Sequence, residues 1–277
     1  MIEIVPVPYK GLEEIIKNIE IYKKKFIDES IIVFRDANMS LLEQENFNKS
    51  VGKELGWNPY QLPNSHYQEN HSHNKRVNTA GPDDIMLTWH IEHPYYSNPI
   101  VVGLWNMFKL TAPVGAGKTY FMNTSTVYDR FTIDDKNFLK SCILNGPPQS
   151  KQLYIFYKNV EYPAISENFI TKLPIITILL NPGEKNHLSS FNHRAPTKKE
   201  QEKFNDILYK IIDMIECDES IRMVHTWKQG DLVLMDGSLA HAVTGGFTPE
   251  SREFYGMWGH KNFIDTSETP PANILEL

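Results

Sequence analysis

Residues 230–241 read GDLVLMDGSLAH, an apolar segment that ends in a turn and is followed by a single histidine. Four apolar residues in a row, bounded by Gly230-Asp231 on one side and Asp236-Gly237 on the other, are typical of a buried strand. The segment is therefore predicted to form such a strand, and its tight turn is predicted to deliver His241.

Similar strands are predicted on both sides of this segment. They are rich in Val, Ile, Thr and aromatic residues and are separated by turn residues. Two helices interrupt them, near 124–130 and 198–216. A large β-rich core of this kind predicts a mainly β fold with flanking helices, namely a jelly roll or double-stranded β-helix. The predicted strands cover residues 87–91, 100–110, 119–123, 153–157, 175–180, 223–227, 231–234 and 252–260.

The N-terminal part of the chain reads as helix, strand and helix. Apolar residues recur at helical spacing through residues 11–25, and residues 31–34 form a compact apolar run typical of a buried strand. Ser40 is followed three residues later by Glu43, a capping box that predicts the start of a further helix.

Residues 56–84 are rich in Asn, Pro, Gly and His and show no periodicity. Unstructured loops of this length inside a domain are often functional, so this segment is predicted to be an active-site loop. It contains a cluster of His66, His71 and His73, whose role the sequence leaves open. Nothing in the middle of the chain resembles a linker, so residues 1–277 are predicted to form a single domain.

Composition excludes several classes of protein. The formal net charge of −6 argues against a general nucleic-acid binder, which needs a concentrated basic surface. No apolar run approaches the about 18 residues that span a membrane, and the N-terminus does not resemble a secretory signal. The two cysteines, Cys142 and Cys217, lie outside any CxxC pattern. A protein of the reducing cytoplasm is therefore predicted, and whether it forms a homo-oligomer stays open.

The pattern His90-Ile91-Glu92 is the strongest local indication of chemistry. Side chains alternate between the two faces of a strand, so His90 and Glu92 are expected to point to the same side. Two histidines and one carboxylate form the facial triad that binds non-haem iron(II) and leaves positions open for oxygen chemistry. His241 is the candidate for the third ligand. Ten histidines make a chance His-x-Glu unremarkable, so this pattern alone does not establish a metal site.

Two further residues could bind a carboxylate group of a cosubstrate. Arg252 begins the predicted strand 252–260, and an arginine can bind a carboxylate through two parallel hydrogen bonds. Thr119 could add a hydroxyl donor to the same carboxylate.

The glycines before Thr119 end like a nucleotide-binding phosphate loop, but Ala112 stands where that loop needs glycine, and β-rich sequence follows. The glycines are therefore interpreted as a tight hairpin turn.

Taken together, these motifs resemble the taurine dioxygenase-like (TauD/TfdA) family of Fe(II)/2-oxoglutarate-dependent oxygenases. The resemblance runs from Ile32 to about Trp258 and rests on five motifs in the family's order. These are residues 32–36 with the helix opening after them, Trp89-His90-Ile91-Glu92, Ala116-Gly117-Lys118-Thr119, residues 230–241, and Arg252.

The resemblance implies a double-stranded β-helix with Fe(II) held by His90, Glu92 and His241. It also implies that 2-oxoglutarate is the cosubstrate, with its far carboxylate on Thr119 and Arg252, and that O2 is consumed as succinate and CO2 are released. The expected outcome is hydroxylation or desaturation of a small molecule.

Two departures from the family pattern bear on the substrate. Most members have aspartate where this chain has Glu92, and glutamate there resembles the clavaminate synthase-like and amino-acid β-hydroxylase branch. An amino acid or amine substrate is therefore expected. Taurine-type enzymes also carry a second arginine for the sulfonate, at the position of Gly256. Taurine is accordingly not the expected substrate.

Two functions from other classes compete with this one. A catalytically silent β-helix binding protein would keep the fold, but it would not need all of the triad and Arg252. A zinc hydrolase could use the same two histidines and glutamate, but the sequence contains no HExxH motif. Binding of iron(II) and 2-oxoglutarate separates the oxygenase from both alternatives.

Overall fold

The computed structural model describes residues 1–59, 81–92, 99–145, 161–177 and 197–262. These residues form fifteen strands and six α-helices within the described ranges. The strands are β1 (Ile2–Glu3), β2 (Val7–Pro8), β3 (Ile31–Arg35), β4 (Asn58–Pro59), β5 (Ile85–His90), β6 (Ile100–Leu110), β7 (Thr119–Asn123), β8 (Ile143–Asn145), β9 (Glu161–Pro163), β10 (Ile165–Glu167), β11 (Pro174–Ile176), β12 (Arg222–His225), β13 (Leu232–Asp236), β14 (Leu239–Thr244) and β15 (Arg252–His260). The helices are α1 (Leu12–Lys17), α2 (Ile19–Glu29), α3 (Leu41–Leu55), α4 (Thr124–Asp129), α5 (Ile133–Ser141) and α6 (Lys198–Cys217).

Two main sheets form the centre of the protein. One has five strands in the order β1-β12-β7-β14-β5, and the other has six in the order β2-β3-β13-β6-β15-β4. Their inner faces share one apolar cluster, which includes Phe121 and Leu239 from the first sheet and Trp105 and Val233 from the second. Inward and outward side chains alternate along each strand, so each sheet also has an outer apolar face to cover.

Helices cover both outer faces. Apolar residues of α6 such as Phe204 and Ile211 pack with Met122 behind the five-stranded sheet. Phe47 of α3 belongs to the cluster that includes Phe34 behind the six-stranded sheet. The predicted mainly β fold with flanking helices is confirmed by this helix–sheet–sheet–helix arrangement. No helix of the described residues is long and apolar enough to cross a membrane.

Local sequence signals explain several element boundaries. The predicted capping box is present, since the backbone N–H of Glu43 donates to Ser40 Oγ and the Glu43 carboxylate accepts from the Ser40 N–H. Thr197 and Glu200 form the same motif before α6. The strand predicted at 252–260 has the bounds of β15.

Other boundaries differ from the prediction. The helix expected at 11–25 is two helices separated at Asn18, and α5 was not predicted. Part of the expected loop at 56–84 is strand, because Asn58–Pro59 pairs with the end of β15. Residues 60–80 of that loop, and the strand predicted at 153–157, lie outside the described residues.

The turn between β13 and β14 is held by buried polar contacts. Asp236 Oδ1 accepts from the Ser238 backbone N–H at 2.8 Å and from Ser238 Oγ at 2.7 Å. Asn168 Nδ2 donates to Asp236 Oδ2 at 2.9 Å. Burial raises the pKa of Asp236, and the hydrogen bonds from Asn168 and Ser238 oppose that shift. This turn sets the start of β14, the strand that carries His241.

Gly237, at the centre of this turn, leaves no room for a side chain. A Cβ built there would lie 2.6 Å from the Ile100 carbonyl oxygen, a backbone atom that cannot rotate away. We expect Gly237→Ala to reduce the free energy of unfolding by about 1–3 kcal/mol, as overpacking usually does. Urea denaturation measures this loss. Gly256→Ala is the matched control, since its Cβ would meet Trp105 Cδ1 at 3.6 Å, an ordinary contact. Equal stability of both variants would contradict the expectation.

Candidate metal and cosubstrate site

The three predicted metal ligands meet at the inner face of the five-stranded sheet. Strands β5 and β14 are antiparallel neighbours in which His90 and His241 are direct register partners, with ring centroids 4.1 Å apart. Glu92 follows the end of β5, and its Oε1 lies 3.3 Å from His241 Nε2. One ligand atom from each of the three residues can be chosen so that all lie within 4.8 Å of one another.

His241 is held rigidly by aromatic neighbours. Its side chain is buried, with the Trp105 ring at 4.8 Å in an edge-on arrangement and the Phe121 ring at 6.2 Å. Burial lowers the pKa of His241 to about 4, against the opposing effect of a hydrogen bond to the backbone of Leu239. At neutral pH the imidazole is therefore uncharged, the form that donates a lone pair to a metal.

The donor set fits a first-row divalent metal. Two imidazoles and one carboxylate are the ligands of a facial triad, which leaves other coordination positions open. Ligand atoms bound at about 2.1 Å and at right angles would lie about 3 Å from each other. The observed 3.3 Å between His241 Nε2 and Glu92 Oε1 is close to that separation.

Thr119 lies on the same face of the sheet as His241. Along β7, Phe121 is the register partner of His241 and Thr119 is the partner of Val243. Residues two apart on a strand point to the same side, so the side chains of Thr119 and Phe121 share the inner face. Thr119 is buried, and its Oγ1 accepts a hydrogen bond from Trp227 Nε1 at 2.8 Å.

Arg252 is buried among aromatic rings next to the glycine-rich turn. Its guanidinium carbon lies 4.8 Å from the centre of the Phe247 ring and 5.8 Å from that of Trp227. A Cβ at Gly117 would stand 3.1 Å from Arg252 Nη1, and Gly117 has a φ of 64°. Glycine at this position therefore serves both the turn and the close approach of the guanidinium.

Trp227 and Trp105 are site residues that the sequence interpretation missed. Trp227 contacts both Thr119 and Arg252, and Trp105 packs against His241. An aromatic residue in a predicted strand is most often part of the core, and both residues are indeed buried. The cross-strand register, which sequence patterns do not provide, is what brings them to the site.

A buried charged network lies behind Trp227. His225 Nε2 is 3.1 Å from Asp231 Oδ2, and the same oxygen accepts from Arg35 Nη1 at 2.8 Å. Burial lowers the pKa of His225, Asp231 opposes the shift, and the charges of Arg35 and Arg252 add to it. The His225 ring meets the Trp227 ring edge-on at 4.6 Å.

This network predicts a dependence of stability on pH. The unfolded chain binds a proton on His225 near its ordinary pKa of about 6.5, whereas the folded protein does so only at lower pH. The free energy of unfolding of the metal-free protein is therefore expected to be highest above about pH 6.5 and to fall as the pH is lowered towards 5. His241 contributes with the same sign. Urea denaturation at several pH values measures this, and His225→Gln should show a shallower slope. An unchanged slope in that variant would contradict the assignment to His225.

Three histidines noted in the sequence lie outside the described ranges. They are His66, His71 and His73 of the predicted active-site loop. The predicted ligands His90, Glu92 and His241, and the predicted cosubstrate residues Thr119 and Arg252, all lie within the described part of the chain.

Comparison with known proteins identifies a family for this chain. The family model of "Taurine catabolism dioxygenase TauD, TfdA family" matches residues 23–258. Among curated protein sequences there is no significant match.

Several solved structures share the fold at low sequence identity. A taurine dioxygenase from Burkholderia xenovorans has 14% identity and a TM-score of 0.62, covering 93% of this chain and 85% of its own. A protein assigned as an alpha-ketoglutarate-dependent 2,4-D dioxygenase from the same organism has 13% identity and a TM-score of 0.66, covering 93% of both chains. AAD-2, solved with Mn(II) and N-oxalylglycine, has 14% identity and a TM-score of 0.61, covering 90% of this chain and 88% of its own. These likenesses confirm the jelly-roll fold.

The family match covers most of the chain and includes Glu92 and the strands that carry both histidines and Arg252. The predicted family and enzyme class are confirmed. The chain belongs to the TauD, TfdA family, whose members are dioxygenases that require Fe(II), 2-oxoglutarate and O2.

Proposed function

We propose that the chain is a single oxygenase domain in which His90, Glu92 and His241 bind Fe(II), while Thr119 and Arg252 bind the far carboxylate of 2-oxoglutarate. The observation that carries the proposal is the convergence of two imidazoles and one carboxylate within 4.8 Å. Strands distant in sequence bring them together, and this donor set is typical of non-haem iron oxygenases.

Each side chain has a defined task in this proposal. His241 is uncharged at neutral pH, so its lone pair is available without a prior loss of a proton. Arg252 keeps its positive charge in a buried aromatic setting, where its attraction for a carboxylate is stronger than in water. The enclosing rings of Trp105 and Phe121 keep water away from His241.

Iron(II) and 2-oxoglutarate would together supply the activation of O2. One oxygen atom would enter succinate as CO2 is released, and the other would enter a hydroxylated product or leave as water in a desaturation. The protein's own residues then decide which C–H bond is oxidised, because they fix the substrate relative to the metal. Hydroxylation and desaturation are both compatible with the triad.

A small amino acid or amine is the proposed substrate class. Glu92 in place of aspartate supports this class through the resemblance to the branch that acts on amino acids. Gly256 supports the exclusion of taurine, because Trp105 and Trp258 rings stand 3.6 Å from where its Cβ would be. The side chains around this position are therefore aromatic and offer no cation to a sulfonate.

The free thiols of Cys142 and Cys217 support the reducing cytoplasm as the location of the protein.

Anaerobic addition of Fe(II) and 2-oxoglutarate tests the proposal directly. The complex should give a weak visible charge-transfer band, and a screen of amino acids and amines in air should then find compounds that stimulate succinate release. Failure to form the band would reject the proposal and would favour a zinc hydrolase or a silent binding protein. A band without succinate release for any compound would reject the proposed substrate class.

A further inference from the structure

Trp227 links the two predicted cosubstrate residues. Its indole N–H donates to Thr119 Oγ1 at 2.8 Å, and the guanidinium carbon of Arg252 lies 5.8 Å from its ring centre. Trp227 and Thr119 are both buried, at 4% and 1% exposure, so water does not compete for this hydrogen bond. The contact joins positions 108 residues apart in sequence.

The chemistry of the two groups restricts where the Thr119 hydroxyl proton can point. An indole N–H can only donate, whereas a hydroxyl can accept through its lone pairs and donate its single proton. Trp227 therefore occupies a lone pair of Thr119 Oγ1. Within the described residues the Thr119 hydroxyl donates to no acceptor, which leaves its proton for an incoming one.

The Trp227 ring is itself held from behind. His225 contacts it edge-on, with ring centres 4.6 Å apart and an interplanar angle of 73°. His225 Nε2 lies 3.1 Å from Asp231 Oδ2. Asp231 is fully buried and also accepts a hydrogen bond from Arg35. A buried network of this kind is weak support for stability, but it can specify one arrangement of its members.

We propose that Trp227 is a positioning residue that directs the Thr119 hydroxyl proton towards the cosubstrate carboxylate, and that His225 and Asp231 hold Trp227 in place. The inference rests on the proposed function, since it requires that Thr119 binds 2-oxoglutarate. It assigns to the buried network a role in cosubstrate affinity.

A double-mutant cycle tests the inference with 2-oxoglutarate as the probe. Trp227→Phe keeps an aromatic ring and removes the N–H, and Thr119→Val keeps the shape and removes the hydroxyl. Trp227→Phe should raise the 2-oxoglutarate Kd about two- to tenfold, the range for one neutral hydrogen bond. Thr119→Val should raise it by about tenfold or more, because the hydrogen bond it removes is to a charged carboxylate. The double variant should lose less than the product of the two, because both act through the same hydroxyl. Affinity for Mn(II) alone should stay unchanged.

Trp57→Phe is the matched control. Trp57 is also buried, and its N–H donates to the side-chain oxygen of Asn48 at 2.9 Å. It belongs to the apolar cluster behind the six-stranded sheet, which contains none of the proposed metal ligands. Its loss should leave 2-oxoglutarate affinity unchanged. Should Trp227→Phe fail to fold, His225→Phe replaces it in the cycle with the same expected direction.

The outcomes separate this inference from the proposed function. A wild-type protein without the charge-transfer band would overturn both. A wild-type band together with unchanged 2-oxoglutarate affinity in Trp227→Phe, or with losses that multiply fully in the double variant, would overturn the positioning role alone. An equal loss in Trp57→Phe would also overturn it, because the effect would then be a general result of removing a buried indole.

Discussion

Replacing His241 with alanine is expected to abolish turnover of 2-oxoglutarate and to weaken iron binding by more than about 100-fold. Loss of residues that only support a metal ligand already costs about 10- to 100-fold in affinity, so loss of a ligand should cost more. The remaining His90 and Glu92 come from one short segment and cannot close a facial triad. Equilibrium dialysis with Mn(II) measures the affinity, and succinate release measures turnover.

His260→Ala is the control for this variant. His260 is also a buried histidine in a strand, at the far end of β15, and it is not one of the three residues that converge. Its replacement should leave metal affinity within about threefold of the wild-type protein, or within about 0.6 kcal/mol. Undiminished metal binding in His241→Ala would show that the metal is held elsewhere.

Replacing Arg252 with alanine is expected to weaken 2-oxoglutarate binding by about 1.5–3 kcal/mol, or roughly 10- to 160-fold, with iron binding retained. Arg252 is 6% exposed, and its guanidinium lies among the rings of Phe247, Trp227 and Phe254. Its planar fork of donors can bind a carboxylate through two parallel hydrogen bonds. Titration of the charge-transfer band measures the Kd.

Two further variants sharpen this result. Arg252→Lys keeps the charge but loses the planar fork of donors, so it should recover only part of the affinity. Arg130→Ala removes a partly exposed arginine that pairs with Asp218 and should have no effect on 2-oxoglutarate. Wild-type affinity in Arg252→Ala would defeat the assignment of Arg252 to the cosubstrate.

Two of the three proposed metal ligands could be predicted from the sequence because they lie close together in it. His90 and Glu92 are two residues apart, and alternation along a strand is enough to place them on one side. His241 follows a strand and turn whose residues, Asp236-Gly237-Ser238, strongly determine the turn. The resemblance to the family then indicated that His241 joins the other two residues, whereas the pairing of β5 with β14 was not predicted.

The contact of Trp227 with Thr119 was missed because it depends on pairing between distant strands. Trp227 and Thr119 are 108 residues apart, and only the register of β12 against β7 brings them close. The break at Asn18 was also not predicted, because the apolar period continues through it. Its side chain donates back to the Glu14 carbonyl at 2.9 Å, which competes with helix continuation.

Strand β5 is the outermost strand of the five-stranded sheet in the described part of the chain, and it pairs only with β14. His90 and Glu92 thus lie on or beside a strand that is hydrogen-bonded to a neighbour on one side only. An ion held between them and His241 would crosslink this strand to β14. Metal loading should therefore protect the backbone amides of residues 85–90 from hydrogen exchange far more than those of β7. Iron would then stabilise the edge of the sheet in addition to taking part in the reaction.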